Sequence, residues 1–105
     1  MTEIRFLKDN GSITGFEIKG HSTVSAEDTE GKIVCSAVSS AAYLVANTLS
    51  EIVKAEILAD VSDGYMEIKL KSKISQSQVI LEGFYLHASE LANQYRNHVK
   101  VYSEV

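Results

Sequence analysis

Apolar and polar residues alternate over Thr2–Leu7 and again over Ile13–Lys19, with Ile4 and Phe6 sharing one face of the first run and Phe16 and Ile18 one face of the second. A period of two predicts half-buried β-strands. Between the runs stands Lys8-Asp9-Asn10-Gly11-Ser12, whose Asn-Gly step supplies the positive φ angles of a tight turn, so the two pair as an antiparallel hairpin. Gly20 ends the hairpin. From His21 to Gly31 both periods vanish, and the residues are small, polar and acidic (Ser22, Thr23, Ser25, Glu27, Asp28, Glu30). So long an irregular connector in a small domain is usually functional or mobile. It reads as a loop that moves over a site.

A helical period takes over from Ile33 to about Lys54. Val34, Val38, Ala41, Val45, Leu49, Ile52 and Val53 recur along one stripe, which Ala37, Ala42 and Leu44 widen. The small residues of its first half fit a central, well-buried helix. Ala55–Val61 and Tyr65–Lys71 then form a second hairpin around Ser62-Asp63-Gly64, with Met66, Ile68 and Leu70 alternating against Glu67, Lys69 and Lys71. A second helix spans roughly Ser75 to Asn97, with Ile80, Phe84, Ala88, Leu91 and Tyr95 on one side and Ser75 or Ser77 as its cap. Gly83 inside it costs about 1 kcal/mol relative to alanine, which points to close packing there. His98–Tyr102 is the last strand. The order ββαββαβ predicts an α+β fold: a two-layer domain in which a mainly antiparallel sheet packs with two helices.

Composition narrows the function classes. The 105 residues are enough for one domain with one core, so residues 1–105 read as a single unit. The net charge is −4 and both signs are interspersed, without a basic stripe, so direct nucleic-acid binding is not expected. The opening residues lack a signal-peptide pattern, and no apolar run approaches the roughly 18 residues that span a bilayer, so no membrane partner is expected. One cysteine without a partner fits a reducing compartment, and the expected location is cytoplasmic.

The candidate chemistry lies at Cys35 and His21. Cys35 falls at the front of the first predicted helix, where exposed N–H groups favour a thiolate, and His21 begins the loop that leads to it. A thiol with an imidazole in reach is a nucleophile–base pair. The backbone N–H groups of Cys35 and Ser36 are candidates for an oxyanion hole. An acid that orients the imidazole could come from Glu27, Asp28 or Glu30. The histidines and cysteine show no metal-ligand spacing, so neither a metal nor another cofactor is expected. Nucleotide-binding loops and the serine-hydrolase elbow are missing from the sequence.

Gly20-His21, an irregular loop, and Ile33-Val34-Cys35-Ser36-Ala37-Val38-Ser39 together resemble the ribosomal-processing cysteine protease (Prp) family. The resemblance extends over essentially the whole chain in element order. It implies a homodimeric α+β endopeptidase that removes the N-terminal extension of large-subunit ribosomal protein twenty-seven during ribosome assembly. It further implies Cys35 as nucleophile, His21 as general base, and Ser39, one helical turn on, as a supporting hydrogen-bonding residue. Lys32 stands where the family usually has an aspartate. If that aspartate orients the histidine, Glu30 or Asp28 must replace it, or the pair works as a dyad. Lys32 also favours the alternative, a non-catalytic dimeric module of the same fold that binds a ribosomal protein or an assembly intermediate.

Overall fold

The alternating runs become strands and the helical stripes become helices, in the order the sequence predicts. The computed structural model describes residues 1–23 and 25–104; Val24, within the expected loop, lies outside the described residues. The elements are β1 (Thr2–Asp9), β2 (Ser12–Lys19), α1 (Thr29–Asn47) with a π-helical continuation over Thr48–Ile52, β3 (Ile57–Ser62), β4 (Tyr65–Leu70), α2 (Ile74–Gln94) and β5 (Val99–Glu104). The sheet runs β3-β4-β2-β1-β5. Its pairs are antiparallel except β1 with β5, which is parallel.

Strand register decides which residues meet the helices. Ile4 opposes Ile18 and Phe6 opposes Phe16 across β1 and β2, while Phe16 opposes Ile68 and Ile18 opposes Met66 across β2 and β4. These inward residues join Val34, Val38, Ala42, Val45 and Leu49 of the first helical run and Leu81, Phe84 and Ala88 of α2 in one core. Four aromatic rings stand at its centre. Phe6 lies 5.4 Å from Phe84 and 5.0 Å from Tyr85, and Phe16 lies 5.0 Å from Phe84, all edge to face. Such pairs add roughly 0.5–1.5 kcal/mol each beyond the area they bury. Gln78 of α2 fastens the helix to β2: its Oε1 accepts the Ile13 N–H and its Nε2 donates to the Ile13 carbonyl, both at 2.8 Å.

The opposite face of the sheet is polar. There the Tyr65 phenol donates to Glu17 Oε2 at 2.8 Å, and Arg5 pairs with Glu17 Oε1 at 3.3 Å. Its bond to the Glu17 carboxylate, with smaller contributions from burial and neighbouring acids, pushes the Tyr65 phenol up from 10 to about 12.

Several boundaries differ from expectation, each for a local reason. The first helix begins at Thr29, four residues before the apolar stripe, because the Asp28 carboxylate caps it by accepting the Gly31 N–H at 2.9 Å. The irregular stretch is correspondingly shorter. The α2 helix starts from Lys73, whose φ is 53°, with no side-chain cap. Ser77 is buried and its hydroxyl donates to the Lys73 carbonyl, so neither expected serine serves as the N-cap residue. The helix also stops at Gln94 instead of Asn97.

Packing departs from expectation at two places. The sheet covers only one side of the first helix, so Leu44 and Ile52 of the predicted stripe are exposed. That helical run, Thr29–Ile52, is long and apolar enough by composition to cross a bilayer, contrary to the sequence reading. Its stripe Val34, Val38, Ala42, Val45 and Leu49 is nevertheless buried in the core, and withdrawing it would strip part of the inner face of the sheet. Gly83 is exposed with nothing within 4 Å of where a Cβ would stand, so close packing does not explain it. Gly83→Ala is therefore expected to stabilise the protein by about 0.5–1 kcal/mol, read as a raised denaturation midpoint.

Candidate active site

His21 owes its position to two glycines. Gly20 has φ +92°, and a Cβ there would run into the Met1 carbonyl oxygen, so this bend at the end of β2 needs glycine. The Gly20 N–H donates to the Gly64 carbonyl at 2.9 Å, which ties the bend to the β3–β4 turn. Gly64 itself has φ +69°, and a Cβ on it would lie 2.8 Å from His21 Nε2. The imidazole thus rests against bare backbone. Beside it, Asp63 Oδ2 stands 3.9 Å from Nε2.

Cys35 projects from the second turn of α1 and is half-buried. Its Sγ receives the Ser22 N–H at 3.1 Å. Ser22 is completely buried and firmly held. Its hydroxyl lies 2.5 Å from Thr2 Oγ1 and donates to the His98 carbonyl at 3.3 Å, and that carbonyl also accepts the Thr2 N–H at 2.8 Å. Ser22 is therefore not part of a moving loop, as the sequence reading had it. It holds its N–H toward the sulfur while its hydroxyl is tied to β1 and to the residue before β5.

One cleft of about 220 Å³ contains both groups. His21 and Cys35 line it together with Ser39, Tyr43, Val61 and Asp63. Its walls come from the outer half of α1 and from the ends of β3 and β4. Val61 opposes Met66 on the inward side of the sheet but is exposed, because no helix covers that end of β3. A thiol, an imidazole and an apolar wall thus face a common space open to solvent. Among the described residues, no hydrogen bond joins His21 to Cys35. Catalytic hydrogen bonds often tighten only when substrate is bound.

The remaining predicted site residues divide. Gly20 shapes the bend before His21, and Ser39 reaches the cleft one turn after Cys35. Asp28 and Glu30 do not approach His21. Besides capping α1, Asp28 lies 3.4 Å from His98 Nε2, and Glu30 lies 3.9 Å from His98 Nδ1. The early start of the helix carries both acids to that side. Lys32 and Ser36 are exposed and do not line the cleft. The same early start places Cys35 and Ser36 inside the helix, where their N–H groups bond to the preceding turn and are not free to form an oxyanion hole.

Sequence reasoning missed Asp63, Gly64, Tyr43 and Val61. Ser62-Asp63-Gly64 carried a clear turn signal, but nothing local told that this turn would meet the bend at Gly20. Tyr43 and Val61 sit within predicted elements and become cleft residues only through the packing of α1 across the sheet.

Known proteins match this arrangement over nearly its full length. The family described as cysteine protease Prp matches residues 1–100. No curated protein sequence matches. Among solved structures, SMU.848 from Streptococcus mutans is 26% identical, with a TM-score of 0.84 over 98% of this chain and 93% of that one. The essential ribosomal processing protease Prp from S. aureus, in complex with a covalently linked product peptide, is 17% identical with a TM-score of 0.85, over 99% of this chain and 100% of that one. The same S. aureus protease with a substrate peptide gives 16% identity and a TM-score of 0.85, with the same coverage. At these last identities the likeness is one of fold.

Proposed function

Because the chain belongs to the cysteine protease Prp family, we propose that it is a ribosomal processing endopeptidase in which Cys35 and His21 form the catalytic pair. The observation that carries this reading is the single cleft lined by both side chains. The substrate is the precursor of large-subunit ribosomal protein twenty-seven, from which the enzyme removes the N-terminal extension. Support for a ribosomal substrate comes from the S. aureus protease of the same fold, which is described as a ribosomal processing protease and was captured with peptides.

The chemistry follows from the two groups. The Cys35 sulfur attacks the scissile carbonyl after its proton passes to His21, and a covalent thioester forms as the peptide C–N bond breaks. His21 returns that proton to the departing amine. Water, deprotonated by the same imidazole, then hydrolyses the thioester and frees the thiol. The apolar walls at Val38, Tyr43 and Val61 favour an apolar side chain next to the cut bond. We place the reaction in the cytoplasm and assign the working form to a homodimer; the exposed Leu44, Val79 and Leu86 on the helical layer favour such an association.

The test is incubation of the purified protein with a peptide that spans the N-terminal extension, followed by mass spectrometry. One defined cut that releases the extension is expected. An intact peptide would hand the function to a binding module of the same fold.

A further inference from the structure

We propose that Asp63, on the turn between β3 and β4, is the positioning residue for His21. In the substrate complex its carboxylate closes the remaining gap to Nε2, accepts the Nε2–H of the neutral imidazole and so leaves Nδ1 to exchange a proton with Cys35. This inference rests on the reading of Cys35 and His21 as the catalytic pair.

Two of the three acids offered by the loop are occupied elsewhere, and among the described residues no ion pair joins exposed Glu27 to His21. Asp28 caps α1 and faces His98, and Glu30 faces the same histidine. Among the described residues, the carboxylate within ion-pair distance of His21 is Asp63, with Oδ2 3.9 Å from Nε2. The turn that carries it meets the histidine in two further ways. Its Gly64 carbonyl accepts the Gly20 N–H at 2.9 Å, next to the histidine, and its Gly64 backbone passes close to the ring, where a Cβ would come within 2.8 Å of Nε2. A backbone bond at Gly20, a packing surface at Gly64 and a nearby carboxylate thus all bring this one turn against His21.

A neutral imidazole has one N–H and one lone pair, and the acceptor nearest to one nitrogen selects the tautomer. An acceptor on the Nε2 side puts the hydrogen there and the lone pair on Nδ1. Nδ1 is then the nitrogen that receives the thiol proton and passes it to the leaving amine. Both partners are largely exposed, at 57% for His21 and 99% for Asp63, so the pair contributes little to folding. Loss of Asp63 should therefore appear in turnover and not in stability.

The experiment compares Asp63→Ala and Asp63→Glu with the unaltered protein. Nitrogen-15 spectra of the labelled imidazole, taken where it is neutral, read the tautomer without any substrate. The Nε2–H form is expected in the unaltered protein, a mixture in Asp63→Ala, and the Nε2–H form again in Asp63→Glu. In the peptide assay kcat falls by about 10–100-fold in Asp63→Ala, by analogy with the loss of a carboxylate that orients a metal-bound histidine. KM and the melting midpoint stay put, and Asp63→Glu recovers most of the turnover. An unchanged tautomer in Asp63→Ala, or a change confined to KM, overturns the proposal. Cys35→Ala and His21→Ala run alongside: full activity in either would refute the catalytic pair, while the tautomer spectra would still judge Asp63 separately.

Discussion

Cys35→Ala is expected to abolish cleavage of the extension peptide, with a fall of roughly 10³-fold or more in kcat, and Cys35→Ser to come close to it. The alanine removes the atom that forms the covalent bond. The serine keeps a nucleophile in name, but a hydroxyl is far harder to deprotonate than a thiol and would need a stronger base than an exposed imidazole. Neither change should unfold the protein. Cys35 is half-buried, and its one described hydrogen bond is from the Ser22 N–H, a residue secured independently through Thr2 and His98. Thermal melts should therefore stay close to those of the unaltered protein while the peptide remains whole. Cleavage at the original rate by Cys35→Ala would remove the nucleophile from the mechanism altogether.

Phe6→Ala is expected to cost about 3–5 kcal/mol of stability, measured as a lowered urea midpoint at unchanged m-value. Phe6 is fully buried and contacts Phe84 and Tyr85 of α2 edge to face, with Phe16 of β2 at 6.4 Å. A cavity at that point lies between the sheet and α2 and cannot collapse without moving one of them. Small domains hold roughly 5–15 kcal/mol in total, so this one substitution consumes a large part of the margin. It should also loosen β1 against β2, and with it the bend that presents His21. A destabilisation below about 1 kcal/mol would mean that the ring cluster is not the keystone of the core.

The architecture was legible where hydrophobic period and turn chemistry agreed. Ile4, Phe6, Phe16 and Ile18 alternate cleanly, Asn10-Gly11 names the turn between them, and the helical stripe through Val34, Val38, Val45 and Leu49 is unambiguous. Cys35 and His21 stood out because they flank the irregular acidic stretch, although the early start of α1 puts Cys35 in its second turn. The start of α1 was also written in the sequence, in Asp28 followed by Glu30, but those acids were weighed as partners for His21 instead of as a cap and first-turn charge. Asp63 and Gly64 are a different case. Their meeting with His21 depends on β4 pairing with β2, with Lys19 opposite Tyr65, a long-range register that no local pattern contains.

The parallel pairing of β5 with β1 sets Thr2–Leu7 beside Val99–Glu104, nearly the whole domain apart along the chain. Contacts of such separation form late, since the entropy of closing the intervening loop must be met before they return any energy. The bonds that fix Ser22 beneath the sulfur run to Thr2 and to the His98 carbonyl, at the threshold of that last strand. During synthesis on the ribosome the nascent protein therefore carries its cysteine long before it can hold the residue that addresses it. The cleft is therefore complete only once β5 has been made and has paired with β1.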